Sequence, residues 1–295
     1  MAGFRFQRLL LSCLAFSVVF RFSALAQNQQ VTLTPETVLA GAPELIRITA
    51  PDAASVTGDW SGNKLTFFRR GKSGPWIALA GIDVGAETGP STLHIVVQTP
   101  EGSIRKFTQT IEIHPAHYRT STLTVAPRFT EPDPAQLKVI LAERALKDKT
   151  FSESAPERLW HGSFRAPVHA VATASFGTRR TFNGTLASIH KGMDYRARTG
   201  TVVRASNDGV VVLARKLYFE GNIVVIDHGL GLYTMSMHLS RIDVHEGENV
   251  TTGERVGLSG ATGRVTGPHL HWAVRWCDAY LDPAKMLKVN LSSLR

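Results

Sequence analysis

The sequence predicts a mostly β protein, and three observations predict it. Short runs rich in Val, Ile, Thr and Phe alternate apolar and polar residues. Pro-Asp, Ser-Gly and Glu-Gly pairs separate those runs, and glycine recurs through the C-terminal half with no helix following it. One stretch, residues 134–149, carries a helical period instead. The chain has 295 residues, 43% hydrophobic and 19% charged, so one large domain or two moderate ones can each bury a core.

Residues 1–26 read as a secretory signal peptide. Arg5 and Arg8 form a positive start, residues 9–20 an apolar core, and Ala24-Leu25-Ala26 a small-x-small cleavage site, so the mature chain begins at Gln27. The apolar run is short of the ~20 residues a membrane span needs, and Arg21 stops it from lengthening. Cys13 leaves with the signal, so Cys277 stands alone and no intrachain disulfide is expected. Loss of Arg5, Arg8 and Arg21 takes the formal charge from +9 to +6. A basic exported protein is drawn to anionic envelope polymers. The export signal and the lack of any nucleic-acid module argue against nucleic acid as partner, and no stable membrane insertion is expected after signal cleavage.

From residue 27 to 117, the segments 31–34, 45–48, 64–68, 92–97 and 107–113 alternate or nearly so. Several short strands at regular spacing predict a small β-sandwich of immunoglobulin-like type, with Trp60, Phe67 and Trp76 in its core. His94, His114 and His117 show no metal-ligand grouping with one another. A connector, 118–159, comes next. Asp133 and Pro134 supply an N-cap and first helical residue, and Leu137, Ile140, Leu141 and Leu146 fall on roughly one face, expected to pack against a neighbouring domain. Residues 160–288 form the second domain, with strands at 202–205, 209–214, 222–227, 232–235 and 270–276, and 289–295 form a tail. Its glycines mark hairpins and positive-φ positions, since no helix follows them as a phosphate loop or dinucleotide fingerprint requires. Residues 247–250 and 253–256 read as paired short hairpin elements.

The candidate chemistry gathers in three segments. In His190-Lys191-Gly192-Met193-Asp194, a straight strand would put His190 and Asp194 on one face ~13 Å apart. A shared ion then requires a bend, which Gly192 permits. The second segment, 235–239, places His238 at a strand end. In the third, 266–272, His269 and His271 lie two residues apart on one strand face, with Cα atoms roughly 6.6 Å apart, so one can bind a metal while the other works beside it. Two imidazoles and one carboxylate suit zinc, with a fourth position open to water. No His-Glu-x-x-His helix is present, so a base must come from elsewhere. Each piece alone is weak, because His-x-x-x-Asp arises often by chance and polar strand faces carry histidines that bind nothing. His228, at a strand end before a turn, reads as structural, as do His161, His169 and His245. The functional case rests on conjunction and order.

That order is His190-x-x-x-Asp194, then His238-Leu239, then Gly260-Ala261-Thr262-Gly263 and Gly267-Pro268-His269-Leu270-His271. It resembles the lysostaphin-type zinc endopeptidases. Ser175-Phe176-Gly177 and residues 200–205 and 221–229 match as well, and the resemblance covers about residues 160–285. It implies an antiparallel β catalytic domain of the lysostaphin-peptidase type and hydrolysis of peptide bonds in the stem peptides or cross-bridges of bacterial peptidoglycan. It further implies one Zn2+ held by His190, Asp194 and His271, with His238 and His269 as the catalytic histidines. Peptidoglycan is then the partner, and the periplasm, cell envelope or exterior the place of action. Ser236 stands where many relatives carry an aromatic residue two before the histidine. The alternative is a catalytically silent envelope regulator or scaffold of the same fold that binds and activates cell-wall hydrolases. Such relatives are recognised by missing ligands, and all five positions are filled here. A metallopeptidase acting on glycine-rich proteins would differ only in its groove. Residues 179–184, just before His190, are a candidate groove-lining loop.

Overall fold

The computed structural model describes residues 31–291 except 70, 72, 174, 175 and 185. The expected signal peptide with Cys13, Ser175 and the end of the 289–295 tail lie outside the described residues. Strand accounts for 44% and helix for 10% of the described residues, so the mostly β expectation holds. The N-terminal part is built of two sheets. One orders the strands Val31–Thr34, Pro43–Ile48, Trp76–Gly81 and Phe68–Arg69; the other orders Val38–Leu39, Ile104–His114, Gly89–Gln98, Ser55–Trp60 and Asn63–Thr66. Along Gly89–Gln98 the inward residues Leu93, Ile95 and Val97 are buried while their neighbours face outward, the alternation of a sheet with one wet face. Trp60, Phe67 and Trp76 sit in the same core cluster.

Two strands escape the alternation rule. Trp76–Gly81 is buried at every position, so it has no polar phase to read. Ser55–Trp60 contains Gly58 and Asp59, which look like a turn. Gly58 is there because a Cβ would lie 2.4 Å from the His94 carbonyl oxygen of the adjacent strand.

The C-terminal sheet has eight strands. Seven run in the order Ala172–Thr173, Met193–Tyr195, Leu270–Trp276, Leu232–Leu239, Gly221–Asp227, Gly209–Leu217 and Asn249–Val250, with Ala279–Leu281 also paired to Leu270–Trp276. Every pairing in it is antiparallel. Segments 247–250 and 253–256 do not pair with each other, contrary to the sequence expectation. Asn249–Val250 extends the large sheet beside Gly209, whereas Arg255–Leu258 joins a small sheet with Val202–Arg204 and Arg241–Ile242. Thr251 to Glu254 turns the chain from one sheet to the other, capped by the Glu254 carboxylate on the Thr251 N–H.

The connector does more than link. Thr120–Leu123 pairs in parallel with Arg179–Phe182, which pairs in turn with Leu186–Ile189. The helix Pro134–Ser152 starts with a full capping box of Asp133 and Gln136, as the Asp-Pro start predicts. Its apolar residues do not seat in a core. No helix residue is buried, Leu137 is 46% and Leu141 56% exposed, and only Leu146 and Phe151 pack against the sheet. Polar contacts dock it instead: Glu143 accepts from the Tyr218 N–H, and Lys147 pairs with Glu220. No helix among the described residues is long and apolar enough to cross a membrane.

The N- and C-terminal sheets share one hydrophobic cluster. Gly81 lies against Leu281, where a Cβ would clash at 2.3 Å. At this junction Glu44 is 0% exposed, and neither carboxylate oxygen has a hydrogen-bond partner. Burial pushes its pKa up to about 8, with Lys285 opposing in part. Folded Glu44 therefore keeps a proton that the unfolded chain releases from the ordinary value of 4.5 upward, and stability falls as pH rises through that window. Glu44→Gln should flatten this loss. A series of melting temperatures from pH 5 to 9 should diverge progressively in favour of the variant up to about pH 8 and then run level, by about 2–4 °C for each kcal/mol recovered. Parallel curves would show that Glu44 does not titrate there.

Candidate metal centre

Four strands and one turn position the site. Asp194 lies directly opposite His271 in the antiparallel pair of Met193–Tyr195 with Leu270–Trp276, so their side chains rise from one face. His190 arrives from the end of Leu186–Ile189, and the chain breaks strand geometry at Lys191 and Gly192 before resuming it at Met193. His190 Nε2 lies 2.8 Å from His271 Nδ1 and 3.1 Å from Asp194 Oδ1, and His271 Nδ1 lies 2.9 Å from that same oxygen. Gly192 does not act through a left-handed φ. Its service is room: a Cβ there would meet His271 Nε2 at 2.4 Å and the Trp272 carbonyl oxygen at 2.7 Å. Gly192→Ala should push the His271 ring out of place. A competing-chelator titration should show metal affinity reduced about 10-fold or more, on the scale of a 1–3 kcal/mol overpacking strain. Unchanged affinity would mean that the ring has space to yield.

His238 reaches the site by breaking a rule. Met237 is the residue paired across from His271, so strand alternation would aim His238 at the opposite face. The register slips opposite it, between Asn222 and Val224, and His238 has φ of 62°, a conformation uncommon outside glycine. Its ring is thereby turned to 4.9 Å from that of His269 and 6.0 Å from that of His271, centroid to centroid. A non-glycine residue held at positive φ costs about 1–3 kcal/mol, the kind of strain that collects at working sites.

The hydrogen bonds assign tautomers. His238 Nδ1 lies 2.9 Å from the Thr262 carbonyl oxygen and His269 Nδ1 lies 2.8 Å from that of Gly267. A carbonyl only accepts, so each Nδ1 carries a proton, and in the neutral tautomer the lone pair is on Nε2. Burial, then the neighbouring His271 and His269, push the His238 pKa down to about 3, and burial pushes His190 down to about 4. Burial opposes ionisation of Asp194, but hydrogen bonds from His190 and His271 outweigh it and hold the carboxyl well below its usual range. His190 and His238 are thereby kept neutral beside a carboxylate.

Three donor atoms 2.8–3.1 Å apart fit a small cation. Tetrahedral zinc with bonds of ~2.0–2.1 Å needs donors about 3.3 Å apart, a few tenths of an ångström of relaxation. Among the described residues, His190, Asp194 and His271 are the group of acids and histidines able to hold a metal. The other Asp194 oxygen lies 3.2 Å from an Arg180 guanidinium nitrogen, an outer partner that orients the carboxylate.

These groups line a cleft of about 530 Å³. A second hollow of about 650 Å³ shares Asp194, Thr266 and His269, so open space flanks the centre on both sides. Of residues 179–184, Arg180 and Phe182 line the cleft, while the Asn183 amide bonds the backbone of Val125. The connector supplies Leu123, Val125 and Lys147 to the same wall, which no sequence signal announced. Ser236 is 7% exposed and does not line the cleft. His228 is fully buried between the Asp208 carbonyl oxygen and the Thr234 hydroxyl, away from the centre, as its strand-end position suggested. His161 and His245 sit apart beside Asp208 and Glu248.

Residues 188–283 match the sequence profile described as peptidase family M23. Among curated proteins, the chain is 53% identical over 83 residues to "Peptidoglycan DD-endopeptidase ShyA" of Vibrio cholerae, covering 28% of this chain and 19% of that one. It is 48% identical over 98 residues to "DD-carboxypeptidase/endopeptidase Mpg" of Neisseria meningitidis serogroup B, covering 33% and 23%. The matches thus span about a fifth to a quarter of the length of these relatives. A crystal structure of a peptidase M23 protein from Pseudomonas aeruginosa superposes with a TM-score of 0.66 at 26% identity, over 84% of this chain and 94% of that one.

Proposed function

We propose that residues 188–283, which match the profile of peptidase family M23, are the catalytic part of an exported zinc metalloendopeptidase hydrolysing peptide bonds of bacterial peptidoglycan. The observation that carries the proposal is the convergence of His190 Nε2, Asp194 Oδ1 and His271 Nδ1 beside two further histidines with free Nε2 atoms, at the floor of an open cleft. In this reading residues 27–117 are an accessory sandwich, 118–159 the connector and 160–288 the catalytic domain, with one Zn2+ on His190, Asp194 and His271.

Zinc, when bound there, acidifies a water and polarises the scissile carbonyl. The chain's own residues do the rest. Asp194, fixed by Arg180 and facing His271 across the strand pair, keeps its inner oxygen aimed at the donor triangle. His238 and His269, each anchored by an Nδ1–H bond to a backbone carbonyl, offer Nε2 to the proton released as the peptide carbonyl is attacked. A ring that has taken that proton can return it from Nε2 to the departing amine. An oxyanion contact from Nε2 also requires that proton, so a neutral His238 serves as acceptor and not as oxyanion donor. The two hollows that meet at Asp194 and His269 leave room for an extended peptide beside the centre.

The test incubates the mature protein with purified peptidoglycan, with and without a metal chelator, and reads released fragments by mass. Chelator-sensitive release is expected, and the masses name the bond cut. No release under any metal supplementation would favour the catalytically silent regulator.

A further inference from the structure

We propose that Arg264, together with Arg180, forms a carboxylate-binding subsite that selects peptides bearing a free carboxylate beside the scissile bond. The inference rests on the peptidase reading and goes beyond it in naming a recognition element. Four cations line the cleft: Lys147, Arg180, Lys191 and Arg264. Lys147 is committed to Glu220, Arg180 touches Asp194, and Lys191 lies at the exposed rim over the Tyr280 ring.

Arg264 is different. Its guanidinium carbon lies over the rings of both Phe182 and Phe219, 4.5 and 4.6 Å from their centroids. Its backbone N–H is tied to the Phe219 carbonyl oxygen, and Phe129 of the connector packs behind Phe219. Among the described residues its side chain makes no hydrogen bond and no ion pair, and its N–H groups are not sealed from the cleft. Glu220, already paired with Lys147, attracts it only at longer range. Two aromatic rings against it restrict where the guanidinium can make polar contacts, and its fork of N–H groups binds carboxylates bidentately. Arg180 lies near enough for the two like charges to oppose each other, and its Nε is buried with no partner among the described residues. Against its four cations the cleft lining sets two carboxylates, Asp194 and Glu220, so positive charge is left over for an anion. The anion fitting a peptide cleft is a carboxylate of the substrate itself. Three parts of the chain build the subsite: the Arg179–Phe182 strand, the Phe219 turn and the loop before His269.

The probes are a soluble muropeptide dimer with free carboxylates and the same dimer with its carboxylates amidated. Steady-state cleavage should show KM for the free form raised about 10-fold or more in Arg264→Gln, with kcat within about twofold and the amidated form little affected, as loss of a charge-assisted bidentate contact requires. Arg264→Lys keeps the charge without the planar fork and should recover only part of the loss; melting temperatures check that both variants fold. Calorimetric binding of the same probes to the chelator-treated protein separates this proposal from the peptidase reading. Preference for the free form that disappears in Arg264→Gln supports the subsite even if no cleavage occurs. Equal binding of both forms by the unaltered protein, or equal weakening of both by Arg264→Gln, would overturn the subsite while leaving chelator-sensitive cleavage intact.

Discussion

His271→Ala should lose both the metal and the activity. His271 contributes Nδ1, the atom 2.8 Å from His190 Nε2 and 2.9 Å from Asp194 Oδ1, so removing it opens the donor triangle. Two donors remain where three are needed to hold zinc with an open position. Loss of a mere outer partner costs about 10–100-fold in affinity, and loss of a ligand should exceed that. Elemental analysis should find close to no zinc in the variant against about one ion per chain before substitution, and muropeptide release should fall to background. The sheet should survive, because Leu270 and Trp272 on the opposite face, 0% and 1% exposed, keep the strand anchored. Zinc at full occupancy with full turnover would remove His271 from the metal site.

The second large effect separates metal binding from proton transfer. His238→Ala should keep zinc and lose turnover by about 10²–10⁴-fold, the span attributable to one positioned general acid–base group. His238 is no member of the donor triangle; its Nδ1 is spent on the Thr262 carbonyl oxygen and its ring neighbours that of His269. His238→Asn is the cleaner variant, because asparagine tolerates the left-handed backbone that φ of 62° imposes. KM should change little in either, since the other residues lining the cleft are untouched. A variant that loses zinc along with activity would make His238 a ligand, and one that keeps turnover would leave His269 as the group accepting the proton.

Much of the site was legible in the sequence because strand geometry is periodic. The two-residue spacing of His269 and His271 put both on one face, and the structure has them there. The Gly-Pro lead-in and the apolar run after it marked the strand that carries them. The bend expected between His190 and Asp194 exists, but the reason for Gly192 differed: it clears a ring arriving from another strand, a contact that no local pattern encodes. His238 shows the limit from the other side. Its sequence neighbours describe an ordinary strand end, and regular alternation would aim it away from the cleft. The turn at positive φ that brings it in depends on the slipped register opposite Asn222 and Val224.

The connector was the least legible part. Its helix was readable from the Asp-Pro cap, yet the apolar face suggested a buried dock, and the helix is held by Glu143 and Lys147 instead. The strand Thr120–Leu123 had no signal because it is four residues at a sheet edge, paired only through backbone bonds. Periodicity and side-chain chemistry are local properties, so the order of amino acids was enough for the class of fold, while the choice of His190, Asp194 and His271 as ligands came from the resemblance that the order of the motifs carries. Three features came from the folded chain alone: which atoms converge, which imidazole nitrogens stay free and which arginine keeps an open edge. The convergence of His190 with His271 and the placing of Arg264 over Phe219 depend on distances between residues far apart in the chain, and those distances exist only once the strands have paired.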